Sequence, residues 1–188
     1  IKTPYSDIIN LHINDIEPHT LNNILFSIAL SYEAGARSLN VIKGLHNYND
    51  VDGRFSIGKG YHGSKIIDSS YNANPHSFIA SINSLVKLDC EPWLVMGEMG
   101  ELGKNSELYH KQVARYAYDM GVKKLFVISK HASAILDEFG QNSYAFDSIE
   151  ALIIFIKPQL HDNVNILVKA SRFMKFEIIV NALTERKN

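Results

Sequence analysis

Strand-like and helix-like segments alternate from residue 64 to residue 183, and this alternation limits the possible folds more than any other feature of the sequence. The strand-like segments are short and apolar, whereas the helix-like segments place apolar residues every three or four positions. Repeats of this kind joined by short connections predict a mostly parallel sheet with right-handed crossovers and helices on both faces. We therefore expect an α/β fold. The strands are expected near residues 65–67, 93–96, 125–128, 144–146 and 164–168.

The first fifty residues follow a different pattern. Residues 9–13 alternate between apolar and polar side chains, which predicts a strand, and residues 21–32 carry a helical pattern that ends at Gly35. Ser38 is expected to cap a second, short helix. These elements are too few to enclose a core, so they indicate the end of a larger domain. Since the chain opens with Ile1 rather than Met, we expect a fragment of a longer protein.

A change of pattern at residues 50–64 marks the expected domain boundary. The spaced glycines Gly58, Gly60 and Gly63 interrupt any long period, which predicts a connector or a short hairpin. We therefore expect residues 1–60 to close one domain and residues 61–188 to form another.

Composition excludes several classes of protein. The 19 Lys and Arg residues are balanced by 20 Asp and Glu residues, so a basic nucleic-acid surface is not expected. The single cysteine, Cys90, rules out an intramolecular disulfide framework and a zinc site built on several cysteines. The apolar run at residues 151–156 is far too short to cross a membrane, and no secretion signal opens the sequence. We expect a cytoplasmic protein.

Ligands of an open parallel sheet bind outside the carboxyl ends of its strands. This rule selects four loops of the sequence, and polar and charged residues are concentrated in them. The first loop is residues 68–75, the second 97–103, the third 129–131 and the fourth 169–172.

The first loop leads into a predicted helix N-terminus, which favours a bound carboxylate or phosphate. The side-chain amides of Asn72 and Asn74 are suited to holding a small polar ligand. For Asn74 the sequence favours a purely structural role as the helix N-cap. For Asn72 a role as a turn residue and a role in ligand binding are equally supported.

Charged residues in the second and fourth loops suggest complementary ends of a zwitterion. Glu98 and Glu101 in the second loop can meet an ammonium group, although solvated surface acids are the simpler reading. Lys169 and Arg172 follow the most apolar strand together with a serine, and Arg grips carboxylates with two parallel hydrogen bonds.

The eight histidines are scattered and include no His-Glu-x-x-His motif, so no metal site is expected. His110 falls opposite the apolar stripe of its helix, which predicts a residue at the surface or behind the ligand-binding side chains.

Four motifs together resemble the Mur ligases, and within that family the branch that adds D-alanyl-D-alanine. They are the run from Asp68 to Pro75, whose Tyr-Asn-Ala-Asn-Pro part is the most specific, the run from Met96 to Gly103, then His110, then residues 169–172. Upstream, His19 and Asn23 resemble the family's His-Asn-x-x-Asn segment, and Gly53-Arg54 resembles its connector. The resemblance covers nearly all 188 residues.

The resemblance implies the architecture and the reaction. It implies a Rossmann-like C-terminal domain, preceded here by the tail of the central ATPase domain. The reaction is ATP-dependent joining of D-Ala-D-Ala to UDP-N-acetylmuramoyl-tripeptide through an acyl phosphate, in peptidoglycan synthesis. The Gly-Lys-Thr/Ser phosphate loop, the Mg²⁺ ligands and the UDP site would belong to N-terminal and central domains outside these residues. The chain alone is accordingly expected to be inactive, with no cofactor of its own and with no certain catalytic residue.

The resemblance also implies residue roles. It places four residues on the nucleotide side, namely His19, Asn23, Arg54 and Asp68. It places seven on the D-Ala-D-Ala side, namely Asn72, Asn74, Glu98, Glu101, Lys169, Ser171 and Arg172.

The sequence departs from the family pattern at three positions. Thr20 and Ser69 stand where the family has an Asn and a ribose-binding Asp, and Ala170 replaces the Gly of Lys-Gly-Ser-Arg. Asp68 is a candidate substitute for the missing acid. Two alternatives stay open, namely another Mur or folylpolyglutamate-synthetase-like ligase and a non-catalytic paralogue.

Overall fold

The computed structural model describes residues 18–47 and 53–185, and the chain divides into two compact units, residues 1–50 and 51–188. The first unit contains helices α1 (Pro18–Glu33) and α2 (Ser38–His46). The strand expected at residues 9–13 lies outside the described residues.

Helix α1 ends as the sequence predicts, but the expected cap of α2 is wrong. Gly35 has a φ of 84°, and the amide of Ala36 donates to the carbonyl of Ser31, which is the hydrogen bond of a Schellman ending. Arg37, not Ser38, occupies the N-cap of α2, and no side chain caps it. The Ser38 hydroxyl instead accepts a hydrogen bond from Tyr32 at 3.1 Å, which joins the two helices.

The second unit alternates strands and helices as expected. A single antiparallel strand precedes five β-α repeats. Its elements are β1 (Ser56–Lys59), β2 (Lys65–Ser69), α3 (Pro75–Val86), β3 (Glu91–Met96), α4 (Ser106–Asp119), β4 (Lys124–Val127), α5 (Ala132–Phe139), β5 (Ser143–Ala145), α6 (Ile149–Ile156), β6 (Val164–Lys169) and α7 (Glu177–Leu183). Single 3₁₀ turns occur at Tyr61–Gly63, Gly103–Asn105, Lys157–Gln159 and Arg172–Met174.

One six-stranded sheet forms the centre of this unit, in the order β1-β2-β6-β3-β4-β5. Strands β2 to β6 all run parallel to one another. Strand β1 pairs with β2 in the antiparallel direction, and Ser56 lies opposite Asp68. Residues 50–64 therefore supply a hairpin strand, one of the two structures expected there. The mostly parallel sheet confirms the predicted fold class.

Helices cover both faces of the sheet. Phe78 and Ile82 of α3 pack with Ala117 of α4 and Ile135 of α5 on one face. Leu152 of α6 and Ile179 of α7 pack on the other face. Since β6 is buried along its whole length, its successive side chains enter the two cores alternately.

The order of the strands places a topological switch point at the carboxyl end of β6, and the space outside it, between the loops at residues 68–75, 97–103, 129–131 and 169–172, is called the crevice here. The chain leaves β2 and β3 toward the face covered by α3 and α4, whereas it leaves β6, which lies between them, toward the face covered by α7. In open α/β sheets ligands bind where neighbouring strands diverge in this way. The register aligns four strand ends there, because Lys169 lies opposite both Ser69 and Met96, and Met96 lies opposite Val127.

Candidate functional site

Lys169 fastens the first loop to the end of β6. Its ammonium nitrogen lies 2.9 Å from the hydroxyl oxygen of Ser69 and 3.0 Å from the carbonyl oxygen of Asn72. The side chain is buried, and it also lies 5.6 Å from the centre of the Phe78 ring. Burial of an ammonium group is tolerable because these oxygens replace its water.

Ser171 joins three loops. Its amide donates to the Glu98 carbonyl at 2.9 Å, and its hydroxyl accepts a hydrogen bond from the Gly100 amide at 2.8 Å. The same hydroxyl lies 3.4 Å from the Ala73 carbonyl, to which it donates. The buried Ser171 therefore orders the walls of the crevice, a function that its position in the sequence did not reveal.

The two asparagines of the first loop differ in what they do. Asn74 is the N-cap of α3 in a complete capping box, because its side chain accepts from the Ser77 amide at 2.8 Å and its own amide donates to the Ser77 hydroxyl at 3.0 Å. The role of helix N-cap that the sequence favours for Asn74 is therefore confirmed. Asn72 is exposed, and its side-chain oxygen accepts from the Ala73 amide at 2.8 Å, which fixes its orientation at the crevice edge.

Glu98 connects the second loop to the third. One carboxylate oxygen accepts hydrogen bonds from the Ser129 hydroxyl and the Lys130 amide, both at 2.8 Å. The other oxygen lies 4.0 Å from the Lys130 ammonium nitrogen. Glu98 is largely buried, whereas Glu101 is exposed and has a φ of 62°, in the left-handed region that non-glycine residues seldom occupy.

His110 is fully buried, so of the two places that the sequence left open the surface is wrong, and a place behind the second loop is what the structure has. His110 does not lie opposite the buried face of α4, as expected, but on it, because it precedes the buried Val113, Ala114 and Ala117 by three, four and seven positions. Its Nε2 accepts from the Met99 amide at 2.9 Å, and its Nδ1 lies 2.7 Å from the Ser106 carbonyl. Burial lowers the pKa of His110 below its ordinary value.

Two arginines contact Tyr71. The guanidinium carbon of Arg54 lies 4.8 Å from the centre of the Tyr71 ring, and that of Arg172 lies 6.0 Å from it. The Tyr71 amide donates to the Gly53 carbonyl at 3.0 Å, which holds this pair of loops together. The sequence pattern assigns Tyr71 no ligand-binding role. Its ring brings two separately predicted ligand residues to one exposed rim.

The remaining predicted residues have the following positions. Asp68 accepts hydrogen bonds from the Ser70 amide at 3.0 Å and the Ser70 hydroxyl at 2.7 Å. Asn23 is exposed on α1, and the His19 side chain lies outside the described part of the structure. Arg172 is exposed, with a guanidinium nitrogen 3.6 Å from a Glu177 carboxylate oxygen.

Ala170 is accommodated by a neighbouring glycine. A Cβ atom built on Gly97 would lie 2.6 Å from the Ala170 Cβ and 2.7 Å from Phe176 Cζ. The methyl group at position 170, where the resemblance predicts glycine, thus occupies space that Gly97 leaves open.

The chemistry of the crevice is that of binding and orientation. The strand ends carry the exposed cations Arg54 and Arg172 and the exposed carboxylate of Glu101, whereas the carboxylate of Glu98 is largely buried and bonded to the third loop. In residues 18–47 and 53–185, no group of three or more His, Cys, Asp or Glu side chains is arranged to hold a metal ion. Nor does any described helix combine the length and apolar character needed to span a membrane.

Comparison with known proteins gives consistent matches. A family model described as Mur ligase, glutamate ligase domain, matches residues 53–172. The chain is 35% identical over 170 residues to UDP-N-acetylmuramoyl-tripeptide–D-alanyl-D-alanine ligase of Escherichia coli K12, covering 89% of this chain and 37% of that enzyme. The enzyme of the same name from Haemophilus influenzae is 30% identical over 175 residues, covering 89% of this chain and 38% of the relative.

A crystal structure of MurF from Acinetobacter baumannii superposes with a TM-score of 0.75 at 26% identity, covering 90% of this chain and 38% of that one. The chain thus spans little more than a third of the length of the relatives that it matches.

Proposed function

The chain belongs to the Mur ligase family, and we propose that it is the C-terminal part of a ligase that joins D-Ala-D-Ala to UDP-N-acetylmuramoyl-tripeptide. The reaction consumes ATP, forms an amide bond and releases ADP and phosphate. Its product is a precursor of peptidoglycan. We place the reaction in the cytoplasm, which supplies the ATP.

In this proposal the first unit, residues 1–50, is the C-terminal tail of the central ATP-binding domain, and the C-terminal domain begins with the second unit at residue 51 rather than at residue 61, because β1 (Ser56–Lys59) pairs with β2 in its sheet. The names of the E. coli and H. influenzae relatives, with identities of 35% and 30%, support this choice of branch. The first loop supports it too, since residues 71–75 carry the run that distinguishes this branch.

The observation that carries the proposal is the convergence of the four strand ends. Ser69, Lys169, Met96 and Val127 lie in one row of the sheet. The loops that follow them carry Asn72, Glu101 and Arg172, which are exposed, and Glu98, which is largely buried. A short peptide with a free amine and a free carboxylate matches this distribution of charge.

Each residue has a proposed role. Arg172 and Asn72 bind the carboxylate of D-Ala-D-Ala, with Lys169, Ser171 and Asn74 holding the loops in place. Glu101 and Glu98 attract its ammonium group. On the nucleotide side, Arg54 contacts phosphate and Asp68 substitutes for the acid that is replaced by Ser69. His19 and Asn23 keep the nucleotide-binding role that the resemblance implies. Reaction rate is then gained mainly by positioning the amine against the activated carboxylate.

The described residues fit a nucleotide contact but not a magnesium site. Arg54 is an exposed cation beside a tyrosine ring, which suits a phosphate group. Residues 18–47 and 53–185 contain no cluster of His, Cys, Asp or Glu side chains that could hold Mg²⁺. Metal binding, like the phosphate loop, is assigned in this proposal to the rest of the enzyme, so the 188 residues alone are expected to be inactive.

A coupled ligation assay on the complete enzyme tests the proposal. The enzyme is incubated with ATP, Mg²⁺, UDP-N-acetylmuramoyl-tripeptide and D-Ala-D-Ala, and both phosphate release and product mass are followed. We expect product only when all substrates are present. D-Glu and meso-diaminopimelate serve as competing amines in matched reactions, with the 188-residue chain as the negative control.

The outcomes separate the alternatives. Product formed with D-Glu or diaminopimelate instead of D-Ala-D-Ala would transfer the protein to another branch of the family. Inactivity of the wild type combined with activity of Ser69→Asp would identify a non-catalytic paralogue. Activity of the 188-residue chain by itself would contradict the division of labour between domains.

A further inference from the structure

The second loop is held by hydrogen bonds at successive peptide groups. The Gly97 amide donates to the Lys169 carbonyl at 2.9 Å, and the Glu98 carbonyl accepts from the Ser171 amide at 2.9 Å. The Gly100 amide donates to the Ser171 hydroxyl at 2.8 Å. All three contacts come from the β6 side of the loop.

A further contact to the loop comes from helix α4. The Met99 amide donates to Nε2 of His110 at 2.9 Å. The loop is therefore clamped between the β6 end, which supplies Ser171, and helix α4, which supplies His110. The Met99 side chain is anchored as well, because it is buried in the core shared by α3, α4 and α5.

Geometry fixes the protonation state of the His110 ring. Nε2 faces an N–H group and must accept, so it carries no hydrogen. Nδ1 lies 2.7 Å from the Ser106 carbonyl, which only accepts, so Nδ1 carries the hydrogen. A second proton on Nε2 would point at the Met99 N–H and break the contact.

The charged and titratable groups around the ring are few. A Glu98 carboxylate oxygen lies 3.9 Å from Nε2, and the His131 ring centre lies 5.2 Å from that of His110. Burial lowers the pKa of His110, and the charges of His131 and Lys130 lower it further, whereas the hydrogen bond with Ser106 and the charge of Glu98 raise it. Burial is the largest effect, in agreement with the neutral ring.

The clamp ends where the backbone is strained. Glu101 follows the clamped residues directly and has a φ of 62°, a left-handed conformation that is unfavourable for a non-glycine residue. Such a conformation persists only where neighbouring contacts impose it. The hydrogen bonds of Met99 and Gly100 are the contacts that precede it.

We propose that His110 is a positioning residue for amide ligation: its neutral ring accepts the Met99 amide and, with Ser171, sets the conformation in which the second loop presents Glu98 and Glu101 to the amine substrate. This inference rests on the proposed function. His110 itself does not touch the substrate, and it acts through the peptide groups of residues 98–101.

The kinetic test compares three variants of the complete ligase. In His110→Ala the Met99 amide is left without its acceptor, so the KM for D-Ala-D-Ala should rise about tenfold while the KM for ATP stays within about twofold. In His110→Gln the side-chain oxygen can replace Nε2, so most of the effect should be rescued. His161→Gln is the matched control. His161 is exposed and precedes the amino end of β6, whereas the second loop contacts the carboxyl end of that strand.

Hydrogen exchange supplies a readout that does not depend on catalysis. In His110→Ala the amides of Met99 and Gly100 should exchange faster, and in His110→Gln and His161→Gln they should match the wild type. The ¹⁵N chemical shifts of the wild-type ring should identify an unprotonated Nε2 at neutral pH. This measurement keeps the test decisive even if His110→Ala does not fold.

The outcomes are distinguishable from failure of the proposed function. A wild-type ligase without activity overturns the proposed function, and with it the kinetic role of His110. Unchanged exchange at Met99 in His110→Ala, or a protonated Nε2 in the wild type, overturns the clamp itself. Equal increases in both KM values overturn positioning of the amine substrate.

Discussion

The ammonium nitrogen of Lys169 lies 2.9 Å from the hydroxyl oxygen of Ser69, across the parallel pair of strands β6 and β2. Both residues are buried at the carboxyl end of the sheet. Ser69 also lies 3.4 Å from the Ser81 hydroxyl on α3, so a short chain of polar groups runs from β6 to that helix. The departure from the family pattern at position 69 therefore stays inside a satisfied polar network.

This network predicts the effect of Ser69→Ala. Removal of the hydroxyl takes one hydrogen-bond acceptor from the buried Lys169, and the free energy of unfolding should fall by about 1–3 kcal/mol. Chemical denaturation at neutral pH measures the change. The exposed Ser133→Ala in the first turn of α5 is the matched control. Equal stability of the two variants would show that the contact contributes nothing measurable.

The capping box predicts the effect of Asn74→Ala. Loss of the N-cap of α3 should lower the free energy of unfolding by about 1 kcal/mol, whereas Asn74→Asp should retain most of it. Thermal or denaturant unfolding measures both. The exposed Asn181→Ala in α7 is the control, and a wild-type midpoint for Asn74→Ala would contradict the cap.

The exposed position of Arg172 predicts a selective kinetic effect. In the complete ligase, Arg172→Ala should raise the KM for D-Ala-D-Ala about tenfold or more, because a charged hydrogen-bonding partner of the carboxylate is lost. Steady-state kinetics with each substrate varied in turn measure the effect, and the KM for ATP should not change. Arg115→Ala on the exposed side of α4 controls for loss of a surface guanidinium. Equal changes in both KM values would remove the proposed role.

The close approach of Gly97 to Ala170 predicts overpacking in Gly97→Ala. The new methyl group would meet Ala170 Cβ at 2.6 Å, so the free energy of unfolding should fall by about 1–3 kcal/mol. Adding Ala170→Gly should restore part of this loss, although Phe176 still crowds the site. Gly44→Ala in α2 is the control, and it should be neutral or stabilising by up to about 1 kcal/mol, because nothing lies within 4 Å of its Cβ. Strictly additive effects of the Gly97 and Ala170 substitutions would contradict the direct contact.

The lowered pKa of His110 predicts how stability depends on pH. Below the ordinary histidine pKa of about 6.5, the unfolded chain binds a proton that folded His110 resists, so acidification should destabilise the folded protein. This contribution is complete above that pH and is lost progressively as the pH falls toward the pKa of the folded state. The advantage of the wild type over His110→Gln in free energy of unfolding should therefore shrink between neutral pH and pH values below 6.5. A difference that is independent of pH would contradict the lowered pKa.

The sequence by itself determined the fold class and the edge of the sheet where the candidate site is proposed. Alternating hydrophobic periods are a local property, and short connections between them leave few topologies other than a mostly parallel sheet. The motif residues could be assigned to the carboxyl ends of strands for the same reason. The N-cap role of Asn74 could also be predicted from the sequence, because an N-cap depends only on residues three positions apart.

Only the tertiary structure decided which of these residues face the crevice and which hold it together. Ser171 and Glu98 bond to residues 71 and 31 positions away in sequence, and Arg54 and Arg172 come to one ring although 118 positions separate them. The face of α4 that carries His110 is buried, and its ring nitrogens are satisfied by the Met99 amide of the second loop and by the Ser106 carbonyl of its own helix. Contacts of this kind depend on strand order and register, which a single sequence does not specify, because long-range pairing is chosen by the packing of the whole sheet.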